Sequence, residues 1–113
     1  MKQESQGILV RIFIGESDRH NGLALYEAIV QEARRRNMAG ATVLRGIMGF
    51  GASSRLHTAK ILRLSEDLPV VVEIVDTEER IDEFMPFLDE VVREGLITME
   101  KVQVIRYRGH KEE

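Results

Sequence analysis

The 113-residue sequence contains no cysteine and no tryptophan, and only 5% of its residues are aromatic. The absence of cysteine excludes a disulfide framework and thiolate metal sites, and it fits a reducing cytoplasm. No apolar run approaches the roughly 20 residues that a membrane-spanning helix needs. The N-terminal MKQESQGILV predicts no signal peptide, because its apolar run is short and Arg11 interrupts it. We therefore expect a cytoplasmic protein.

The overall composition is typical of a folded domain, with 43% hydrophobic and 31% charged residues. A chain of 113 residues is long enough for one domain with one modest core. We expect a single domain over residues 1–113, with its core within about 7–108. The net charge of −3 gives no general attraction to nucleic acid or anionic membranes.

Four strands are predicted from the apolar pattern. Apolar residues alternate over 8–14, and the β-branched run LPVVVEIVD covers 68–76. Two further strands are predicted over 41–48 and 102–107. In the second strand of the chain, Gly46 indicates a bulge or a close approach of another backbone.

The first helix is predicted from an apolar stripe over 23–33, with Asn21 or Asp18 as its N-cap. The three arginines at 34–36 fall in its last turn, where positive charge complements the helix dipole. We interpret this triplet as a helix end rather than as a binding patch.

The second helix has the clearest apolar stripe in the chain, over 81–92. Asp76 and Glu79 have the spacing of a capping box. Pro86 predicts a kink or a weak point, and Gly95 predicts the end of the helix.

The order β–α–β–β–α–β is that of the ferredoxin-like fold, an α+β class with an antiparallel sheet and both helices on one face. The other face is predicted to carry Leu9, Phe13 and aliphatic residues of the other strands. Because an exposed, half-apolar sheet is a liability for a monomer, we expect the protein to self-associate.

The stretch GIMGFGASSR at 46–55 is the most glycine-rich part of the chain. Its G-x-x-G-x-G order reverses the dinucleotide-binding fingerprint, and Gly51 is not followed by the Lys-Ser/Thr of a Walker loop. Two interpretations stay open. The glycines either permit a turn at a strand end with Phe50 packed, or they expose backbone N–H groups to an anion.

Other chemistry has little support in the sequence. His20, His57 and His110 lack metal-ligand spacing, and no Ser–His–Asp set or nucleophile elbow is recognisable. The third predicted strand has no aromatic residue on which RNA bases could stack. We therefore expect no enzyme, no metal site and no nucleic-acid partner.

The first polar loop contains Glu16, Asp18, Arg19 and His20. These residues either cap and pair within the loop or, as a family resemblance implies, help to line a cleft between subunits, and both interpretations stay open.

Four motifs occur in one order: GATV at 40–43, GFG at 49–51, LPVVVEIVD at 68–76 and VIRYRG at 104–109. In this order they resemble the PII signal-transduction proteins. The chain is still more similar to a PII-like family of unknown function, domain of unknown function one-ninety, through GESDRHNGLALYEAIV, RGIMGFGASSRLHTAKILRLSEDLPVVVEIVDTEE and EGLITMEKVQVIRY. The resemblance covers about residues 7–108.

The resemblance implies a homotrimer that binds adenine nucleotides between subunits, with no required cofactor. A loop, here about 51–67, is implied to move in response and to contact a protein partner such as a membrane transporter. Arg55 could supply a positive charge near the start of that loop, although no family position matches it. The residues that match nucleotide-binding positions are Gly40, Thr42, Gly49, Phe50, Gly51, Glu73, Arg106 and Arg108.

Two departures from the PII pattern bear on the ligand. Ala52 and Ser53 stand where PII proteins have Arg-Gln, and residues 96–99 replace a G-D-G-K phosphate loop. We therefore expect AMP or ADP rather than ATP. The alternatives are an interaction module that needs no ligand and, through a divalent-cation tolerance protein of the same trimeric fold, a metal-binding trimer.

Overall fold

The four long strands form one antiparallel sheet in a computed structural model that describes residues 1–50 and 67–109. The elements are β1 (Lys2–Gly15), β2 (Arg19–His20), β3 (Leu23–Ala24), α1 (Leu25–Arg35), β4 (Gly40–Arg45), β5 (Pro69–Asp76), α2 (Glu78–Val91) and β6 (Leu96–Tyr107). The order across this sheet is β4–β5–β1–β6, and both helices pack on one of its faces. The predicted ferredoxin-like fold is therefore confirmed.

The core lies between the helices and the even-numbered side chains of β1 and β5. Ile12 stands opposite Val72 and both are fully buried, as the period-two alternation predicts. Each aliphatic side chain buried in this way stabilises the fold by about 1.5–3 kcal/mol. The remaining fully buried core residues include Val10, Ile29, Val70, Ile74, Ile81, Phe84 and Leu88.

The start of α1 differs from its prediction. Asn21 and Gly22 both have positive φ, +49° and +84°, and form the two-residue turn of a short β2–β3 hairpin. Asn-Gly is the preferred dipeptide for such turns, because both central residues need positive φ. Ala24 is the N-cap and makes no side-chain capping bond, so the predicted caps were wrong. The Asp18 carboxylate instead accepts a hydrogen bond from Gly15 N at 3.0 Å.

The start of α2 also differs by one residue. Thr77 is the N-cap, and its Oγ1 accepts a hydrogen bond from Arg80 N at 3.2 Å. The predicted capping box at Asp76 was wrong because that side chain is buried and binds other groups. The helix continues through Pro86 as one element.

Gly95 does not end α2, which stops four residues earlier at Val91. It lies instead where the chain passes β1: a Cβ at this position would be 2.7 Å from the Phe13 carbonyl oxygen. Backbone cannot withdraw as a flexible side chain can, so a close approach is the reason for this glycine.

Gly95→Ala is therefore expected to destabilise the fold by about 1–3 kcal/mol, through the clash with β1. Thermal or denaturant unfolding measures this, with Gly109→Ala as the control, since a Cβ at Gly109 meets nothing within 4 Å. Equal stability of the two variants would contradict this role of Gly95.

The strand ends differ from the predicted bounds. β4 ends at Arg45 rather than at residue 48, and β6 begins at Leu96 because residues 96–99 pair with β1. β5 pairs with β1 only from Ile8 onward. The paired segments 2–7 and 102–107 therefore extend past the rest of the sheet, and we call them the β1–β6 arm.

In the part of the chain that the structure describes, neither helix is long and apolar enough to cross a bilayer.

Candidate functional site

The sheet face opposite the helices is open and half-apolar, as predicted. Cross-strand rows on this face run through Leu9 and Phe13 of β1, which stand opposite Val75 and Val71 of β5. Leu44 and Leu96 extend the apolar area and are 50% and 59% exposed. This is the surface for which the sequence predicts self-association.

A charged cluster lies at the centre of the open face. Arg11 Nε donates to Glu73 Oε2 at 3.0 Å, and Arg11 Nη1 lies 3.6 Å from Glu100 Oε2. Glu73, a predicted nucleotide residue, therefore has a partner that sequence reasoning missed. One feature of the sequence could have identified Arg11: it is the polar residue among the apolar residues of β1. Thr42 stands directly opposite Glu73 on β4.

Gly40 begins β4 at the edge of the sheet, opposite Val75. A Cβ at Gly40 would meet nothing within 4 Å, and its φ is not in the left-handed region. The fold of one subunit therefore does not require a glycine here. The structure brings Gly40, Thr42 and Glu73 together as neighbours on one exposed edge of the open face.

Two glycines of the glycine stretch, Gly46 and Gly49, lie close to Pro69. Gly46 N donates to the Pro69 carbonyl at 2.7 Å, and a Cβ at Gly46 or at Gly49 would lie 3.0 Å from Pro69 Cγ. Two backbones therefore approach each other closely at Gly46, which is one of the two roles predicted for this glycine. Phe50 is 69% exposed, so the packing that the structural interpretation expected of it does not occur within the subunit. Gly51, Arg55, His57, His110 and the rest of the 51–66 segment lie outside the described residues.

The first loop contacts both ends of the connection between β4 and β5. Glu16 forms an ion pair with Arg45, the last residue of β4. Ser17 N and Oγ donate to Asp67 Oδ1 at 3.3 and 2.7 Å. This loop therefore contacts Arg45, where β4 ends, and Asp67, two residues before β5 begins.

Arg19 and His20 lie apart from Glu16, in the β2–β3 hairpin. Arg19 Nη2 donates to the Gly22 carbonyl at 3.3 Å, and His20 Nε2 lies 3.2 Å from Asn21 Nδ2. His20 also lines a shallow depression against the helix layer with Gln31, Glu32 and Phe87. Of the three residues proposed for a cleft, Glu16 pairs with Arg45, the residue before Gly46, whereas the contacts described for Arg19 and His20 lie within the hairpin and the helix layer.

Arg106 and Arg108 lie at the tip of the β1–β6 arm. Arg106 stands opposite Gln3, and Arg108 continues the pairing through backbone hydrogen bonds of 2.9 Å with Met1. Glu73 pairs with Arg11, which lies eight residues after Gln3 along β1. The levels of Arg106 and Glu73 in the sheet are therefore about 27 Å apart. Within one subunit, these arginines therefore cannot contact a ligand bound beside Glu73.

The arginine triplet at the end of α1 belongs to the helix terminus, as predicted, and two of its members make contacts within the fold. Arg35 and Arg36 both bind the Glu32 carboxylate, and their hydrogen bonds hold the pKa of Glu32 below its ordinary value. The Arg36 guanidinium also stacks over Phe84, 5.1 Å from the ring centroid. Within residues 1–50 and 67–109, no group of three His, Asp or Glu side chains converges to hold a metal ion.

Comparison with solved structures shows similarity to CPII from Thiomonas intermedia K12, a nitrogen regulatory PII-like protein. The form of CPII bound to ADP, AMP and bicarbonate matches with a TM-score of 0.59 and 15% identity, over 90% of this chain and 91% of that chain. The apo form matches with a TM-score of 0.54 and 15% identity, over 95% of this chain and all of that chain. At this identity the likeness shows a shared PII-like fold.

Sequence relatives are closer. A UPF0166 protein of Aquifex aeolicus is 41% identical over 86% of this chain and 91% of its own length. A UPF0166 protein of Methanocaldococcus jannaschii is 37% identical over 89% of this chain and 92% of its own length. The model of the DUF190 family, described as an uncharacterized ACR, matches residues 7–104. The chain therefore belongs to the DUF190 (UPF0166) family, with the fold of the PII-like proteins.

Proposed function

We propose that this protein is a PII-like regulator rather than an enzyme, and that it binds AMP or ADP in the clefts of a homotrimer. The observation that carries the proposal is the exposed edge at Gly40, where a glycine that the subunit does not need lies beside Thr42 and Glu73. CPII, which shares the fold, has been solved with ADP and AMP bound. Calorimetric titration with these nucleotides tests the proposal.

The edge at Gly40 suits the adenine part of the ligand. Without a Cβ at Gly40, a flat ring can approach the β4 backbone closely. Thr42 supplies a hydroxyl and Glu73 a carboxylate on the same face, and both are groups that hydrogen-bond to a base. Apolar Val75, level with Gly40 in the sheet, adds contact area.

The tip of the arm suits the phosphate part. Arg106 is exposed, and Arg106 and Arg108 are two residues apart, so both guanidinium groups can converge on one anion. These arginines lie about 27 Å along the sheet from the level of Glu73. The adenine part and the phosphate part of one ligand must therefore be bound by two different copies of the chain. A closed assembly in which each copy extends its arm to another satisfies this requirement, and the homotrimer that the family resemblance implies is such an assembly.

A short phosphate chain fits the site better than a triphosphate. Residues 96–99, where the PII pattern has a phosphate loop, are paired with β1, so their backbone belongs to the sheet ladder. Fewer free N–H groups are then available for a γ-phosphate. This supports AMP or ADP over ATP.

We further propose that binding is signalled to a protein partner, such as a transporter, through residues 51–67. Glu16 and Ser17 hold the two ends of the β4–β5 connection by way of Arg45 and Asp67. A ligand beside Gly49 and Phe50 would act on the first of these ends. Limited proteolysis within 51–67, with and without AMP, measures whether the nucleotide changes this segment.

Gly40→Val is expected to leave the thermal midpoint unchanged and to weaken AMP binding about tenfold or more, because the added side chain occupies the position of the ring. The control is Ala41→Val on the same strand, whose side chain lies on the opposite face of the sheet. Calorimetry and thermal unfolding of both variants measure this. Unchanged AMP affinity in Gly40→Val would remove Gly40 from the site.

An interaction module that needs no ligand is the second candidate. Ile47, Met48 and Phe50 are 93%, 82% and 69% exposed, and exposed apolar clusters mark docking surfaces. In this case the protein would bind its partner equally well with and without AMP, and proteolysis within 51–67 would not respond to the nucleotide.

A further inference from the structure

Asp76 and Arg80 link the start of α2 to the turn that leads into β4. The Asp76 side chain is 7% exposed, and its Oδ2 accepts hydrogen bonds from Ala39 N at 3.0 Å and from Arg80 Nε at 3.1 Å. Ala39 immediately precedes Gly40. A buried carboxylate therefore holds the backbone beside the proposed adenine contact.

Arg80 holds the same turn at two further points. Its Nη2 donates to the carbonyl of Arg36 and, at 3.2 Å, to that of Asn37. Asn37 has a φ of +58°, in the left-handed region that few non-glycine residues adopt. The turn over 36–39 is thus fixed at three backbone groups by Asp76 and Arg80, which we call the clamp.

The clamp contributes to the position of β4 because β4 is an edge strand of the sheet. Gly40 is held on one side by its pairing with Val75 of β5, and among the described strands none pairs with its other side. The α1–β4 turn is a further constraint on where this strand begins. Binding sites require their contacting groups to be held to within about 0.5 Å.

We propose that the clamp positions Gly40–Thr42 for nucleotide binding, with Arg80 as a positioning residue that does not touch the ligand. This inference rests on the proposed function. Arg80 is two-fifths exposed and acts through the turn, so its removal should alter the site without unfolding the subunit. A merely structural Arg80 would change stability and leave the affinity for AMP as it is.

The test is calorimetric AMP titration of the full chain as wild type, Arg80→Ala and Arg80→Lys, with Thr77→Ala as the matched control. Thr77→Ala removes the N-cap of the same helix end and leaves all three clamp contacts with the turn in place. We expect Arg80→Ala to weaken AMP about fivefold or more, and Thr77→Ala to weaken it less than about twofold at a similar loss of thermal midpoint. Arg80→Lys should fall between wild type and Arg80→Ala, because lysine can pair with Asp76 but cannot fork to both carbonyls.

Hydrogen exchange at the Ala39 amide gives a readout that needs no ligand. We expect exchange about tenfold faster in Arg80→Ala and unchanged in Thr77→Ala. Equal losses of AMP affinity in these two variants, or full affinity in Arg80→Ala, would overturn the positioning role while the proposed function stands. Absence of AMP binding by the wild type would instead overturn the proposed function, and with it the role of the clamp in binding.

Discussion

Asp76→Ala is expected to lower the free energy of unfolding by about 2–4 kcal/mol, the largest effect on stability among the changes considered, because one carboxylate accepts three hydrogen bonds. The Asp76 carboxylate accepts hydrogen bonds from Ala39 N, Thr77 N and Arg80 Nε, at 3.0, 2.7 and 3.1 Å. Alanine leaves these three donors without their shared acceptor, and it removes the buried side chain that joins them. The change therefore loosens the α1–β4 turn and the start of α2 together.

Denaturant unfolding of Asp76→Ala and Asp82→Ala measures this effect. Asp82 is an exposed residue of α2, and its removal should change stability by less than about 0.5 kcal/mol. Asp76→Asn should lie between these two, because an amide oxygen can replace one acceptor while its NH₂ group opposes a backbone donor. A loss below about 1 kcal/mol in Asp76→Ala would contradict the place of this carboxylate at the centre of the clamp.

Arg106→Ala is expected to weaken AMP binding by about 1.5–3 kcal/mol, the range of a hydrogen bond to a charged group. Since Arg106 is exposed at the tip of the arm, its loss should hardly change the stability of the subunit. Arg106→Lys should recover only part of the affinity, because lysine keeps the charge but cannot make a bidentate contact with a phosphate.

Lys2→Ala is the matched control for this prediction. Lys2 lies at the same tip and stands opposite Tyr107, so it faces the other side of the arm from Arg106. Lys2→Ala removes one positive charge from the same region, as Arg106→Ala does, and we expect the affinity for AMP to fall less than about threefold. Equal losses in Lys2→Ala and Arg106→Ala would indicate a general effect of charge and would remove the phosphate role of Arg106.

The layers of the fold could be predicted from the sequence because the buried strands and helices carry strong periodicity. Ile12 and Val72 mark strands by alternation, and Phe84 and Leu88 mark one helical stripe. The first half of β6 could not be predicted in this way. Thr98, Met99 and Glu100 are exposed on an edge strand, where burial imposes little alternation.

The sequence motifs propose residues for the candidate site, but they do not give its geometry. The motifs identified Gly40 and Glu73, but the partners of Glu73 and of the turn before Gly40 depend on strand register. Arg11 meets Glu73 across 62 residues of chain, and Asp76 meets Ala39 across 37. Local patterns carry no information about such contacts, because they follow from how the strands align in the folded sheet.

The measurement that tests the account most directly is calorimetric titration of the wild-type protein with AMP, ADP, ATP and GMP. We predict saturable binding of AMP or ADP at submillimolar concentration, weaker binding of ATP, and no binding of GMP at the same concentrations. Absence of heat with AMP and ADP at millimolar concentration, or equal binding of AMP and GMP, would contradict an adenine-nucleotide site at the edge formed by Gly40, Thr42 and Glu73.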